Sequence, residues 1–295
     1  MPPRWLVSGA SGQLGSHVVR RLARDAPGEP ICALVGQNAV GTAGVEVQRV
    51  SLADAIALRR IAHAFRPTHI LHLGAMTAVG DCHARPAEAE EVNVSATRAL
   101  AEAATDLHAR LVFSSTDMVF DGDHAPYRES DPTHPLSYYG RTKAAAERVL
   151  AEFDHTLVVR IPLLYGLPCS TRPTTFSQQL TALHNRQPLR LFTDEFRTPV
   201  WLADAARALI GLARDDLTGV IHVAGPERLS RYELIARCAA LLGIYAPNLI
   251  PVSRLEIAAA EPRPADLSLD GAMLVRRRPD LQPGALRAAV VQPPT

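Results

Sequence analysis

Net charge is nearly absent from this chain of 295 residues, whose 31 basic and 30 acidic side chains leave +1 at pH 7. Such a balance offers no long-range attraction to nucleic acid or to an anionic membrane surface. Arg276-Arg277-Arg278 is the one dense basic run, and it reads as a solvated face near the C-terminus. Cysteine is scarce too. Cys32, Cys82, Cys169 and Cys238 stand far apart, with no Cys-x-x-Cys and no metal-ligand spacing, so they read as free thiols of a reducing compartment. The eleven histidines show no ligand pattern; His69 and His72 flank a strand and read as packed or exposed, and no metal is expected. No apolar run reaches membrane-spanning length, and the chain enters its first strand directly after Met1-Pro2-Pro3-Arg4 with no signal peptide. These absences point to a cytoplasmic, soluble protein, in which the Asn93-Val94-Ser95 sequon carries no weight.

What is present is a regular alternation of apolar runs and helical stretches. Trp5-Leu6-Val7-Ser8 reads as a strand, and Gly9-Ala10-Ser11-Gly12-Gln13-Leu14-Gly15 follows it, leading into a helix from Ser16 to Arg24. Glycines at 9, 12 and 15 between strand and helix meet the context of a dinucleotide-binding turn. A backbone without Cβ atoms can turn tightly and approach a pyrophosphate, whose charge meets the helix N-terminus. Further strands are expected at Ile31–Val35, Val45–Val47, Thr68–Leu73, Leu111–Ser114 and Thr156–Ile161. Between them lie helices from Asp54 to Phe65, capped near Ala53-Asp54, and from Pro86 to Thr105, with Val92, Val94, Leu100 and Ala103 facing inward. A strand–helix alternation of this kind predicts an α/β fold, a Rossmann-type doubly wound parallel sheet.

From Pro162 onward proline becomes frequent and the alternation breaks. Residues 1–165 are expected to form the dinucleotide-binding domain, with 199–223 returning to its sheet through a helix at Ala203–Ala213 and a strand at Val220–Val223. Residues 166–198 and 224–295 would form a smaller, discontinuous C-terminal substrate-binding subdomain, and Gln292-Pro293-Pro294-Thr295 a loose end.

The stretch Leu111–Glu147 carries the chemistry. An apolar run ends in Ser114-Ser115-Thr116-Asp117, and Tyr138-Tyr139-Gly140-Arg141-Thr142-Lys143 opens a helix on which Tyr139 and Lys143 share a face. A phenol titrates near pH ~10, and lowering it by about 3 units takes roughly 4 kcal/mol. One ammonium about 4 Å away supplies that much at an effective dielectric of about 20. Taken alone, such a pair is an ordinary surface of an amphipathic helix; the glycine turn upstream gives it meaning. At the end of the second strand Val35-Gly36-Gln37-Asn38 lacks the acid that an NAD ribose usually meets, which favours NADP, although no arginine immediately follows.

Gly9-x-x-Gly12-Gln13-Leu14-Gly15, Ser115-Thr116-Asp117-Met118-Val119-Phe120-Asp121-Gly122, Tyr139-Gly140-Arg141-Thr142-Lys143 with Glu147, Arg160-Ile161-Pro162, Arg197–Asp204 and Arg263-Pro264 together resemble one family over nearly the whole chain. It is the dTDP-4-dehydrorhamnose reductase family of the extended short-chain dehydrogenase/reductase superfamily, which includes the regulatory β subunit of methionine adenosyltransferase. The resemblance implies a catalytic set of Thr116, Tyr139 and Lys143, acting with NADP or NAD on a nucleotide-linked 4-keto-6-deoxy sugar. It implies cofactor contacts at Gly9, Ser11, Gly12, Gln13, Leu14, Gly15, Ser51, Leu52, Gly74, Ala75, Thr77, Ser114 and Ile161, besides Tyr139 and Lys143. Substrate contacts would come from Asp117, Met118, Arg197 and Arg263, the arginines meeting a diphosphate. Met118 and Leu163 replace the tyrosine and tryptophan usual in rhamnose-type reductases, which leaves the sugar open. Another carbonyl substrate for a reductase or epimerase, and a non-catalytic NADP-binding regulatory subunit, are the alternatives. A homodimer is compatible with the superfamily.

Overall fold

The computed structural model describes residues 2–38, 41–170, 173–245 and 248–287; residues 292–295, expected as a loose end, lie outside them. The first half alternates β1 Trp5–Ser8, α1 Gln13–Asp25, β2 Ile31–Val35, β3 Glu46–Arg49, α2 Ala55–Phe65, β4 His69–His72, α3 Val79–Ala84, α4 Pro86–Glu90, α5 Ala96–Asp106, β5 Arg110–Thr116, α6 Tyr138–Leu150 and β6 Thr156–Ile161. Shorter elements follow: β7 Leu164–Tyr165, α7 Thr175–His184, β8 Leu189–Phe192, β9 Phe196–Arg197, β10 Val200–Trp201, α8 Leu202–Ala213, β11 Gly219–His222, β12 Leu229–Ser230, α9 Arg231–Leu241, β13 Leu249–Val252 and α10 Ala272–Arg277.

Seven strands form one parallel sheet in the order β11-β6-β5-β4-β1-β2-β3. Every residue of β1, β2 and β6 is buried, as expected of parallel strands covered on both faces. One face packs on α1 and α8 through Val18, Leu22, Leu209 and Leu212; the other packs on α2, α5 and α6 through Leu58, Leu100 and Leu150. The chain runs outward from β1 to β3, then crosses back so that β4 flanks β1 on its other side. This reversal opens a crevice at the carboxyl ends of β1 and β4. A further apolar cluster joins α7, β8 and α9 through Phe176, Leu180, Leu191, Leu234 and Ile235. Val119, Phe120 and Tyr127 pack on Leu267 and Leu269, tying the loop after β5 to the C-terminal segment.

Several sequence expectations shift. The helix expected from Pro86 to Thr105 contains a π-helical turn at Glu91–Ser95. Its extra residue rotates Asn93 inward to 1% exposure, leaving Val92 and Val94 half-buried, while Leu100 and Ala103 face inward as expected. β3 lies one residue later than expected and is an edge strand, with Val47 exposed. β5 continues to Thr116 because Ser114, Ser115 and Thr116 pair with Val159, Arg160 and Ile161 of β6. Arg276 and Arg277 are exposed, whereas Arg278 bridges Asp215 and Asp280, each at 2.7 Å. All four cysteines are unbonded. No helix among the described residues is long and apolar enough to cross a membrane.

Candidate active site

A cleft of about 790 Å³ runs along the carboxyl ends of the central strands. Gly9, Ser11, Gly12, Gln13, Leu14, Gly15, Ser51, Leu52, Gly74, Ala75, Thr77, Ser114, Ile161, Thr116, Tyr139 and Lys143 all line it. Its floor is shaped by missing side chains. Gly9 adopts φ +65°, and a Cβ there would lie 2.5 Å from the Gly74 Cα, so β1 and β4 close on each other only through glycine. A Cβ on Gly15 would lie 2.1 Å from the Gly9 carbonyl oxygen. No side chain caps α1 at Gly12 and its first turn holds no acid, so the helix N-terminus is available to an anion. The cradle therefore fits a dinucleotide. Gly15→Ala should destabilise the fold by about 1–3 kcal/mol through overpacking and weaken dinucleotide binding, as denaturant titration and calorimetry would show.

Tyr139 is the second residue of α6. Ser137 caps this helix by accepting the Gly140 N–H at 3.1 Å, and a Cβ on Gly140 would lie 2.2 Å from the Met118 carbonyl oxygen. The helix start is thus pressed onto the loop leaving β5, and Tyr139 and Thr116 line the same cleft. Thr116 Oγ1 in turn donates to Asp117 Oδ1 at 3.1 Å. Lys143, one turn further, is 2% exposed with Nζ 3.8 Å from the centre of the Phe113 ring.

The electrostatics correct the sequence expectation of a phenol lowered by its lysine. Burial pushes the Tyr139 phenol above its ordinary range, the Asp117 carboxylate adds to that, and the Thr116 hydrogen bond opposes it. Burial also pulls Lys143 down to about 7, against the opposing charge of Glu147. The physical reason is depth: the ammonium rests on an aromatic face inside the protein, where its own charge is costly.

Sequence reasoning missed the support behind these groups. Asn93 Nδ2 donates to Thr142 Oγ1 at 2.9 Å and to the Met76 carbonyl at 3.0 Å, and its Oδ1 accepts the Met76 N–H at 2.8 Å. The π turn creates this bracket between the crevice loop and α6. A buried Asn on an otherwise apolar helix face was the available signal, obscured by its place in a sequon. His72, fully buried, sits between Ser8 Oγ at 2.6 Å and Thr97 Oγ1 at 3.0 Å.

The residues expected to touch substrate, Asp117, Met118, Arg197 and Arg263, do not line this cleft. Asp117, 3% exposed, faces Arg197 Nε at 3.1 Å. Burial raises the Asp117 carboxyl, with Arg197 opposing. Arg263 Nη1 lies 3.3 Å from Glu195 Oε1 and its guanidinium sits 4.8 Å from the Phe192 ring centre. Arg231 Nε approaches Glu195 Oε2 at 3.6 Å. Three guanidiniums thus meet two carboxylates next to Thr116; Arg231 and Glu195 were not anticipated. Met118 packs against the cluster of Val119 and Phe120, and Leu163 against that of Tyr165 and Phe176.

A doubly wound sheet with that glycine cradle at its reversal point, and with Tyr139 and Lys143 turned into the same cleft, is the architecture of the extended short-chain dehydrogenase/reductases. Within that superfamily the chain belongs to the RmlD substrate binding domain family, whose model matches residues 3–292. It is 32% identical over 268 residues to dTDP-4-keto-6-deoxy-D-glucose reductase of Streptomyces niveus, covering 90% of this chain and 87% of that one. It is 29% identical over 278 residues to methionine adenosyltransferase 2 subunit beta of Pongo abelii, covering 90% and 80%. The crystal structure of a hypothetical dTDP-4-dehydrorhamnose reductase from Sulfolobus tokodaii superposes with a TM-score of 0.85 at 27% identity, covering 98% of this chain and 100% of that one.

Proposed function

We propose that this protein is an NAD(P)H-dependent reductase of a nucleotide-linked 4-keto-6-deoxy sugar. The observation that carries the reading is that Thr116, Tyr139 and Lys143 line one cleft with the glycine turn, beside an arginine cluster suited to a diphosphate. Residues 1–165 with 199–223 would hold the cofactor; 166–198 and 224–295 would hold the sugar nucleotide.

Bound along the glycine turn, the cofactor supplies the hydride that reduces the ketone carbon. The chain supplies the rest. Thr116 hydrogen-bonds the ketone oxygen where negative charge develops. Tyr139 gives that oxygen its phenolic proton; burial keeps the phenol protonated until the more basic alkoxide oxygen forms to take it. Lys143, which lines the same cleft, would bind the nicotinamide ribose. Arg197, Arg231 and Arg263 receive the diphosphate, and Asp117 holds Arg197 in place. Following nicotinamide absorbance with NADPH or NADH and a panel of nucleotide 4-keto sugars tests this; the reading requires turnover on at least one of them.

NADP is the favoured cofactor. Arg49, paired with Val35 across β2 and β3, donates from Nη1 to the Gln37 carbonyl at 3.1 Å. An arginine therefore does stand at the end of β2, delivered by the neighbouring strand rather than by the residues that follow. A charge-assisted hydrogen bond contributes about 1.5–3 kcal/mol. Arg49→Ala should accordingly raise the KM for NADPH by about 10–100-fold and leave that for NADH unchanged. Equal effects on both cofactors would count against the assignment.

A second reading, a non-catalytic regulatory subunit, draws on the likeness to methionine adenosyltransferase 2 subunit beta. The main reading places the protein in the cytoplasm, with a nucleotide sugar as its small-molecule partner and a homodimer as the assembly to test by light scattering.

A further inference from the structure

The N-terminus of α6, which carries Tyr139, is completed from far away in the chain. Ser137 satisfies the Gly140 N–H and leaves that of Tyr138 to be met elsewhere. Glu261 meets it: its Oε1 accepts the Tyr138 N–H at 2.8 Å and the Arg141 Nη2 at 3.1 Å, and faces His83 Nδ1 at 3.5 Å. The Glu261 side chain is 5% exposed, and its Oε2 is buried without a partner. A carboxylate withdrawn from water this far is costly unless its contacts hold it. A surface ion pair with Arg141 alone would not require that depth.

Two residues on, Arg263 reaches Glu195 and the Phe192 ring. Pro264 and Ala265 then close against Gly122, where a Cβ would lie 2.8 Å from the proline. The short segment 261–263 therefore has one end on the helix of the proton donor and the other in the arginine cluster.

We propose that Glu261 is a positioning residue that couples occupation of the arginine cluster by a nucleoside diphosphate to the placement of Tyr139. This rests on the reductase reading for its kinetic consequence. Capping by Glu261 fixes the first turn of α6, and Arg263 settling on a diphosphate pulls the same segment taut. Displacement of reacting groups by about 1 Å can cost 10²-fold in rate.

Glu261→Ala and Glu261→Gln separate this from a merely structural role, because glutamine keeps an acceptor for both donors. The alanine variant should lose at least about tenfold in kcat, with cofactor affinity unchanged, and the glutamine variant should recover most of it. In hydrogen exchange, dTDP should slow the Tyr138 and neighbouring amides in the wild type but not in Glu261→Ala. Wild-type kcat in both variants overturns the proposal, as does equal loss of cofactor binding in both. If the wild type reduces none of the sugars, the reductase reading fails. The exchange response to dTDP still decides the coupling: present in the wild type and lost in the variant supports it, identical in both refutes it.

Discussion

Replacing Tyr139 with Phe should lower kcat by about 10²–10⁴-fold, the usual worth of a positioned general acid, while cofactor affinity stays within a few-fold of wild type. Phenylalanine keeps the ring at the start of α6 and removes only the hydroxyl from the cleft that Tyr139 shares with Thr116. Nothing in the glycine turn, the Gly9–Gly74 approach or the α1 N-terminus depends on that hydroxyl. A variant that retains kcat within a few-fold would remove Tyr139 from the chemistry.

Glu147→Gln carries the largest expected effect on stability. Glu147 and Arg160 are 8% and 4% exposed and joined at 2.7 Å between Arg160 Nη2 and Glu147 Oε2, with a second contact of 3.1 Å from Nε to Oε1. Ser115 Oγ donates to Oε1 at 2.5 Å, and the Arg160 guanidinium lies 5.0 Å from the Phe120 ring centre. His222, which faces Arg160 at 3.4 Å, carries no negative charge to offer in its place; burial and the Arg160 charge hold its pKa down at about 3, so the imidazole stays neutral. Neutralising Glu147 leaves a buried guanidinium without its anion, and the expected loss is about 3–5 kcal/mol in denaturant unfolding. Unchanged stability would mean that water reaches Arg160.

The same variant reports on Lys143. Burial lowers that ammonium to about 7 and Glu147 partly restores it. Its charge is therefore present below about pH 7 and lost as pH rises through that value. The kcat/KM for the cofactor, which follows the free enzyme, should fall on its alkaline side near there. In Glu147→Gln the falling limb should move to lower pH.

The local parts of this architecture were legible in the sequence. β2 and β6 were placed to the residue because short runs built around consecutive apolar residues, Ile31–Val35 and Leu157–Val159, and bounded by loops admit little else. The glycine turn was legible because its chemistry is contained in seven consecutive residues. The rest depends on contacts across distance. Arg49 reaches the end of β2 only through the β2–β3 register, and Glu261 reaches Tyr138 across 123 positions. The inward turn of Asn93 needs one extra residue in a helix that periodicity alone reads as regular. The rise in the Tyr139 pKa likewise follows from how deeply α6 is pressed onto the loop after β5, which spacing does not encode.

The most direct test is label transfer. Cofactor deuterated at the nicotinamide C4 would be incubated with the protein and a dTDP-4-keto-6-deoxy sugar, and the product examined by mass spectrometry and NMR. The account predicts one deuterium on the former ketone carbon, at a rate collapsed by Tyr139→Phe. A sugar nucleotide that binds the protein with the cofactor yet emerges unlabelled and unreduced would contradict it.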